Sequence, residues 1–393
     1  MDVVIASGVR TAIGGFGGSL ASVPPTDLAT RVSAEAVKRA GIAPDAIGHS
    51  VFGNVIHTEP KDMYLARVAA MGAGVPETTP ALTLNRLCGS GLQAVVTVAE
   101  AILLGHARAA LAGGAESMSR AGHLLRTARF GTKMGDTVAT DMMTGALTDP
   151  FGNGHMGVTA ENVAARCEIS RAEQDALAVR SHARAIRAIA QGYFEGQILP
   201  VTVRKGREEV SFSTDEHARA DVTCEGLAGL RAAFRKDGSV TAGNASGIND
   251  GAAALVLAER AYAEEAEVPV LAHILGYGLG GVAPEVMGLG PIPAVSQALD
   301  RTGLRVADMS VIESNEAFAA QACAVARDLG FPEEITNPNG GAIALGHPVG
   351  ASGAILLIKL IHELRRVSGR YGLATMCIGG GQGIAVIVEN PDA

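Results

Sequence analysis

Four short stretches hold side chains that could make or break bonds at one centre. In Cys88-Gly89-Ser90-Gly91 a cysteine precedes an apolar helical run. A cysteine there meets unpaired backbone N–H groups and the positive end of the helix dipole. Both favour the thiolate, the nucleophilic form, and the glycines leave room for a substrate. Gly346-His347-Pro348 sets an imidazole in a tight turn, where it could take the thiol proton. Cys377-Ile378-Gly379-Gly380-Gly381-Gln382-Gly383 offers a second thiol as a proton-transfer base, beside a turn whose free N–H groups could bind an oxyanion. Asn315-Glu316-Ala317-Phe318 ends a strand with an amide able to hold a water or a carbonyl. Taken singly, each has a plainer reading. These are a buried structural cysteine at 88 or 377, a hydrogen-bonded core histidine, and a helix N-cap at Ser314 or Asn315. Residues 377–383 read poorly as a dinucleotide loop, because a strand rather than a helix follows.

The elements that must position these residues occur twice. Shifted by 262 residues, Gly41-Ile42-Ala43 falls on Gly303-Leu304-Arg305, Ala46-Ile47 on Asp308-Met309, and Ser90-Gly91 on Ser352-Gly353. After a few residues of slippage, residues 111–114 resemble 376–380. The pattern predicts strands over 3–6, 50–52 and 109–112 and helices over 26–40 and 91–104 in the first half. In the second it predicts helices over 294–301 and 353–366 and strands over 310–313, 373–378 and 384–388. Such alternation implies a mixed or parallel sheet covered by helices on both faces. Packed as pseudo-twofold mates, the two halves would bring the helix starts after Cys88 and His347 together near the axis.

Between the halves, residues 120–243 differ in character. They hold 16 of the 32 basic but only 15 of the 40 acidic residues, so this segment is about +1 and the rest about −9. Its clearest element is a helix capped by Ser170 and Glu173 and stopped by Gly192. Positive charge set on an acidic chain suggests an anionic ligand, although uneven surface charge alone would give the same count. The division expected is a first half of residues 1–119 plus 244–268, an insertion of 120–243, and a second half of 269–393.

Composition removes other classes. A net charge of −8 argues against general nucleic-acid binding. Charged residues at 18% beside 48% apolar ones exclude a disordered chain. Five scattered cysteines suggest neither a disulfide framework nor a zinc site. The uncharged stretches 335–358 and 371–388 are too rich in glycine for membrane helices, the first also holding two prolines. The start shows no signal-peptide pattern, so a soluble cytoplasmic protein is expected.

Together the four motifs, in this order and at this spacing, resemble the thiolase family, and in particular its bacterial acetyl-CoA acetyltransferases and β-ketothiolases. The resemblance spans essentially the whole chain and includes residues 54–70, 113–118, 155–162 and 242–251. It implies a duplicated α/β fold with a five-layered αβαβα core and an inserted loop domain. It also implies a reversible Claisen condensation of acyl-CoA thioesters by a ping-pong route. By match of motif, Cys88 would be acylated and His347 would activate it. Cys377 would move the α-proton, and Asn315 would hold a water beside His347 in one oxyanion hole. The N–H groups of Cys88 and Gly379 would form the other. Arg219, Phe234 and Ser246 would bind coenzyme A, and Leu147, His155, Met156, Met287 and Phe318 would line the tunnel and acyl pocket. No permanently bound cofactor or metal is implied. The partners expected are small acyl-CoA substrates, with no nucleic acid and no membrane. Residues 120–138 match the region that builds tetramers, so a homotetramer, a dimer of dimers, is expected. The alternatives are a degradative thiolase for longer chains, a ketoacyl synthase using a carrier protein, and a non-catalytic acyl-CoA-binding relative. The synthase pattern has histidine or asparagine where this chain has Cys377, and a non-catalytic relative would have lost Cys88, His347 or Cys377.

Overall fold

The computed structural model describes residues 2–393. The first half runs β1 (Val3–Thr11), α1 (Pro25–Ala40), β2 (Ile47–Gly53), α2 (Leu65–Gly72), β3 (Ala81–Leu84), α3 (Ser90–Leu103) and β4 (Ala109–Ser117). The intervening segment carries α4 (Met156–Arg166) and α5 (Arg171–Ala190), and the chain returns in β5 (Asn249–Glu259). The second half runs β6 (Ala272–Gly281), α6 (Pro291–Thr302), β7 (Met309–Ser314), α7 (Ala319–Leu329), α8 (Val349–Arg366), β8 (Tyr371–Ile378) and β9 (Gln382–Glu389).

The repeat in the sequence is a repeat of structure. α1 and α6 both begin at proline, whose fixed φ and missing N–H suit the first turn. Both end at a left-handed glycine, Gly41 at φ 70° and ψ 15° and Gly303 at φ 70° and ψ 14°. A 3-10 turn follows each, Pro44–Ala46 and Val306–Asp308. In α1, Leu28, Val32, Ala36 and Ala40 recur every fourth residue and are buried, giving one apolar face.

The strand order is β7-β8-β9-β6-β1-β5-β4-β2-β3. Each half thus repeats one arrangement, β2-β4-β5-β1 answering β7-β8-β9-β6. Parallel pairs (β2 with β4, β7 with β8) sit outermost in each repeat and antiparallel pairs inside, so the sheet is mixed. Among the described residues, the strands of the two halves pair at Val4 opposite His273 and Ile5 opposite Ala272. β1 and β6 thereby link the two sheet layers into one hydrogen-bonded path, a continuity that the five-layer expectation did not include. α1 covers β1, β4 and β5 from outside, and α6 covers β6 and β9. α3 and α8 pack on each other between the layers, α8 touching β4 and β5 of one half and β7 and β8 of the other. That central place explains why α8 is buried continuously from Val349 to Ile361.

α3 and α8 approach closely because glycines face their backbones. A Cβ on Gly91 would lie 2.7 Å from the Ala354 nitrogen, and one on Gly353 would run into the Leu92 nitrogen. The 262-residue shift converts either contact into the other. The intervening segment is tied to β1 by a buried Arg10–Asp215 pair with hydrogen bonds of 2.8 and 2.9 Å. α5 has the expected capping box, and Gly192 follows it at φ 69°.

Candidate active site

Cys88 sits on a tight turn between β3 and α3. Leu87 before it has φ 47°, a conformation that a branched side chain occupies only when its surroundings hold it. Here Asn85 Oδ1 accepts from the Leu87 N–H at 2.9 Å, and Ser90 Oγ donates to the Leu87 carbonyl at 2.6 Å. The neighbouring glycines serve packing as well as access, since a Cβ on Gly89 would strike Ile378 at the end of β8. The loop carrying Cys88 is thereby pressed onto the strand carrying Cys377.

The thiolate expected at a helix start is not what the resting site favours. Burial pushes the Cys88 thiol up to about 11. The N–H groups of Gly379 and of Cys88 itself pull it down, and the Glu116 carboxylate adds a smaller upward push. Desolvation of a charged sulfur outweighs two N–H dipoles and the helix end. Cys377 is fully buried, and its thiol is raised by burial and by the nearby Cys88.

His347 is neutral for the same reason, burial lowering its pKa to about 4. Its tautomer follows from its neighbours. Nδ1 lies 2.6 Å from Ser352 Oγ, and that hydroxyl donates to the Pro348 carbonyl at 2.9 Å. With its one proton committed, Ser352 accepts from Nδ1–H, so the lone pair is on Nε2. The Asn315 amide nitrogen lies 3.4 Å from Nε2. Asn315 caps no helix, because α7 begins at Ala319 with Phe318 before it. Its backbone N–H bonds Thr375, and its side-chain oxygen has no protein partner among the described residues. The His347 N–H donates to Asn249 Oδ1 at 2.8 Å.

Cys88, His347, Cys377 and Gly379 line one narrow, mostly apolar cavity with Leu147, Met156, Ser246, Met287 and Phe318. A wider cleft of about 710 Å³ shares Leu147, Ser246, Phe318 and His347 with it and adds His155, Arg219 and Phe234. The two spaces form a funnel from surface to thiols. Asn315 stands behind His347, off the wall. At the mouth, His155 stacks on Phe234 with ring centres 4.8 Å apart, and Phe234 meets Phe318 edge-on at 6.1 Å. The Arg219 N–H donates to His182 Nδ1 at 3.2 Å, and burial holds His182 down at about 4, so it is the neutral acceptor this bond needs.

Some residues around the site escaped the sequence reading. Ser352 was visible only as a repeat marker, and Asn249 lies far from His347 in the chain. Glu116 is fully buried and accepts from Asn54 Nδ2 and the N–H groups of Val55, Ile56 and Gly350, yet burial still pushes its carboxyl up to about 8. A buried carboxylate inside Gly113-Gly114-Ala115-Glu116-Ser117-Met118 was the signal available for it.

Two family models match nearly the whole chain, "Thiolase, N-terminal domain" over residues 3–261 and "Thiolase, C-terminal domain" over residues 268–390. The chain is 59% identical to Beta-ketothiolase BktB of Cupriavidus necator over 99% of both proteins. The crystal structure of the Bacillus anthracis acetyl-CoA acetyltransferase matches with TM-score 0.97 at 46% identity, over 99% of this chain and 98% of that one. The crystal structure of human mitochondrial 3-ketoacyl-CoA thiolase in complex with CoA matches with TM-score 0.96 at 43% identity and the same coverage. The fold and the comparisons together make this chain a member of the thiolase family. No helix among the described residues is long and apolar enough to cross a membrane.

Proposed function

We propose that the chain is an acetyl-CoA C-acyltransferase, joining two acetyl-CoA, or acetyl-CoA and a short acyl-CoA, into a 3-ketoacyl-CoA and free CoA, reversibly. The observation that carries this reading is the meeting of two cysteines and a neutral histidine in one narrow apolar cavity at the end of a wide cleft. The cleft takes coenzyme A, with Arg219 toward its phosphates, His155 and Phe234 beside it, and Ser246 bonding the pantetheine arm.

In the first half-reaction Cys88 Sγ attacks the thioester carbon and its proton passes to His347 Nε2. The carbonyl oxygen, now negative, accepts from the N–H groups of Cys88 and Gly379. The CoA sulfur departs with the proton of Cys377, leaving acetyl-Cys88, a charged His347 and a Cys377 thiolate. That thiolate is a strong base because burial disfavours its charge. In the second half-reaction it takes the α-proton of the next acetyl-CoA. The enolate oxygen is held by His347 Nε2–H and a water on Asn315. The enolate carbon attacks the acetyl group, and Cys88 leaves and recovers its proton from His347. Each side chain ends in its starting protonation state, the α-proton on Cys377 replacing the one that left with CoA, and no bound cofactor or metal takes part.

A short acyl chain suits the narrow inner cavity, and five free thiols suit the cytoplasm. The exposed arm around Phe130 and Met134 supports a homotetramer. The test is thiolysis of acetoacetyl-CoA and longer 3-ketoacyl-CoAs by free CoA, followed by the loss of ultraviolet absorbance. Cleavage that declines with chain length is expected. A preference for long chains would move the protein to the degradative group, and CoA binding without cleavage would overturn the catalytic reading.

A further inference from the structure

β7 ends at Ser314, the last residue paired with β8, and α7 does not begin until Ala319. Asn315 therefore stands on four residues without regular structure, while its amide must lie 3.4 Å from the His347 ring. Its own backbone makes one bond, to Thr375.

The missing support comes from Asn337, in the loop between α7 and α8. Its side-chain oxygen accepts from the Ser314 N–H at 2.9 Å. Its side-chain nitrogen donates to the Ser314 carbonyl and to Glu316 Oε1, both at 2.8 Å. The amide thus acts as a detached peptide group that extends the ladder along β7 and grips the residues on both sides of Asn315. The grip is anchored in turn. The Asn337 N–H bonds the Ile312 carbonyl at 2.8 Å, and the backbone sits at φ 45°, a region asparagine tolerates better than most side chains. Glu316 Oε2 accepts from Ser181 Oγ on α5 at 2.6 Å, and Ser181 Oγ accepts from the Gly341 N–H at 3.0 Å. A Cβ on Gly341 would collide with the Glu316 carboxylate, so the loop closes directly onto it.

We propose that Asn337 is a positioning residue for the reaction, holding Asn315 in register with His347 through Ser314 and Glu316. The inference rests on the role proposed for Asn315 in the condensation step. Neither plain turn geometry nor core packing requires one side chain to satisfy both backbone groups of one neighbour and the carboxylate two residues on. Asn315 serves the enolate oxygen, so loss of its support slows condensation and leaves acylation of Cys88 intact.

The test uses Asn337→Gly, which accepts φ 45° and removes the amide, so backbone strain is separated from hydrogen bonding. Condensation of acetyl-CoA is expected to slow about 10- to 100-fold, the range that a misplacement near 1 Å produces. KM for acetyl-CoA should stay within about twofold, and acetyl-Cys88 should form at the wild-type rate by rapid-quench mass spectrometry. Because Asn337 acts through Asn315, Asn315→Ala with Asn337→Gly should be no slower than Asn315→Ala alone. In Asn337→Asp a carboxylate faces Glu316, and adding Glu316→Gln restores a donor between them and should recover part of the rate. Wild-type condensation in Asn337→Gly, beside a crippled Asn315→Ala, would overturn the positioning role. So would additive losses, or acylation slowed as much as condensation. Full activity in Asn315→Ala would instead remove the catalytic reading on which the inference rests. Should Asn337→Gly fail to fold, the Asp variant and its Gln rescue decide alone.

Discussion

A thiol held up at about 11 beside an imidazole held down at about 4 does not rest as an ion pair. Cys88 and His347 are both neutral at rest, and in the proposed mechanism charge separates only when a thioester carbonyl arrives to share it. The sign of the pH dependence follows. His347 is an unprotonated base above about 4 and Cys88 carries its proton below about 11, so the reactive pair is the majority form across the neutral range. Acylation of the wild-type enzyme by acetyl-CoA should be nearly flat from about pH 6 to 9 where these two groups govern it. In His347→Ala no side chain takes the proton, and the thiolate must form by exchange with solvent. Its population, and the acylation rate, should then rise about tenfold per pH unit toward the Cys88 pKa. Rates of acetyl-enzyme formation by rapid-quench mass spectrometry decide this, and a flat profile in the variant would remove His347 as the base. Residue types were what the sequence made legible here, since Cys88, His347, Asn315 and Cys377 all stand in recognisable motifs. Protonation was not legible. It depends on burial and on Gly379 and Glu116 near the sulfur, the first of them nearly 300 residues away in the chain.

At the scale of elements, the proposed site depends on how near α3 and α8 can come. Gly91 and Gly353 replace side chains with backbone contact across the pseudo-twofold axis. Gly353→Ala would force a methyl against the Leu92 nitrogen, which cannot move without shifting the start of α3 and Cys88 with it. Overpacking of this kind costs about 1–3 kcal/mol or more. A clear fall in Tm is expected, with a loss of acylation rate beyond what stability explains. Gly122→Ala, where an added Cβ meets nothing within 4 Å, is the control and should leave both unchanged. An unchanged Tm in Gly353→Ala would show that the helices have slack. The Ser-Gly pairs, 262 residues apart, made this contact legible in the sequence as a repeat. Where the repeat breaks was not legible. β3 lies beside β2, but its counterpart beside β7 is a single bridge from Ile312 to Thr336. The next residue, Asn337, holds the Asn315 loop instead.

At the scale of the whole molecule, the chain divides labour between a rigid duplicated core and the segment threaded through it. The core supplies the thiols and the imidazole, and the intervening segment supplies part of the cleft wall, including Arg219 and Phe234. That segment also projects an arm, in which His123–Leu125 pairs with Ala139–Asp141. Its tip exposes Phe130 at 93%, Met134 at 94% and Val138 at 76%. Apolar side chains grouped on one projecting hairpin mark a surface meant to be covered, and a second copy of this chain is the cover proposed here. In solution the chain should scatter light as a particle of about 160 kDa, four times its 40.0 kDa. Phe130→Ser with Met134→Ser removes two large apolar contacts from each arm, and a desolvated contact of that size is worth about 1.5–3 kcal/mol. The arms repeat in every subunit, so the losses accumulate over the assembly, and the double variant should fall to a smaller particle at micromolar concentration. The fold of the single chain should survive, because both side chains face solvent within it, while Tm falls by whatever assembly had added. A double variant that keeps the full mass would show that other surfaces build the assembly, and a wild-type chain that scatters as a monomer would remove the tetramer altogether.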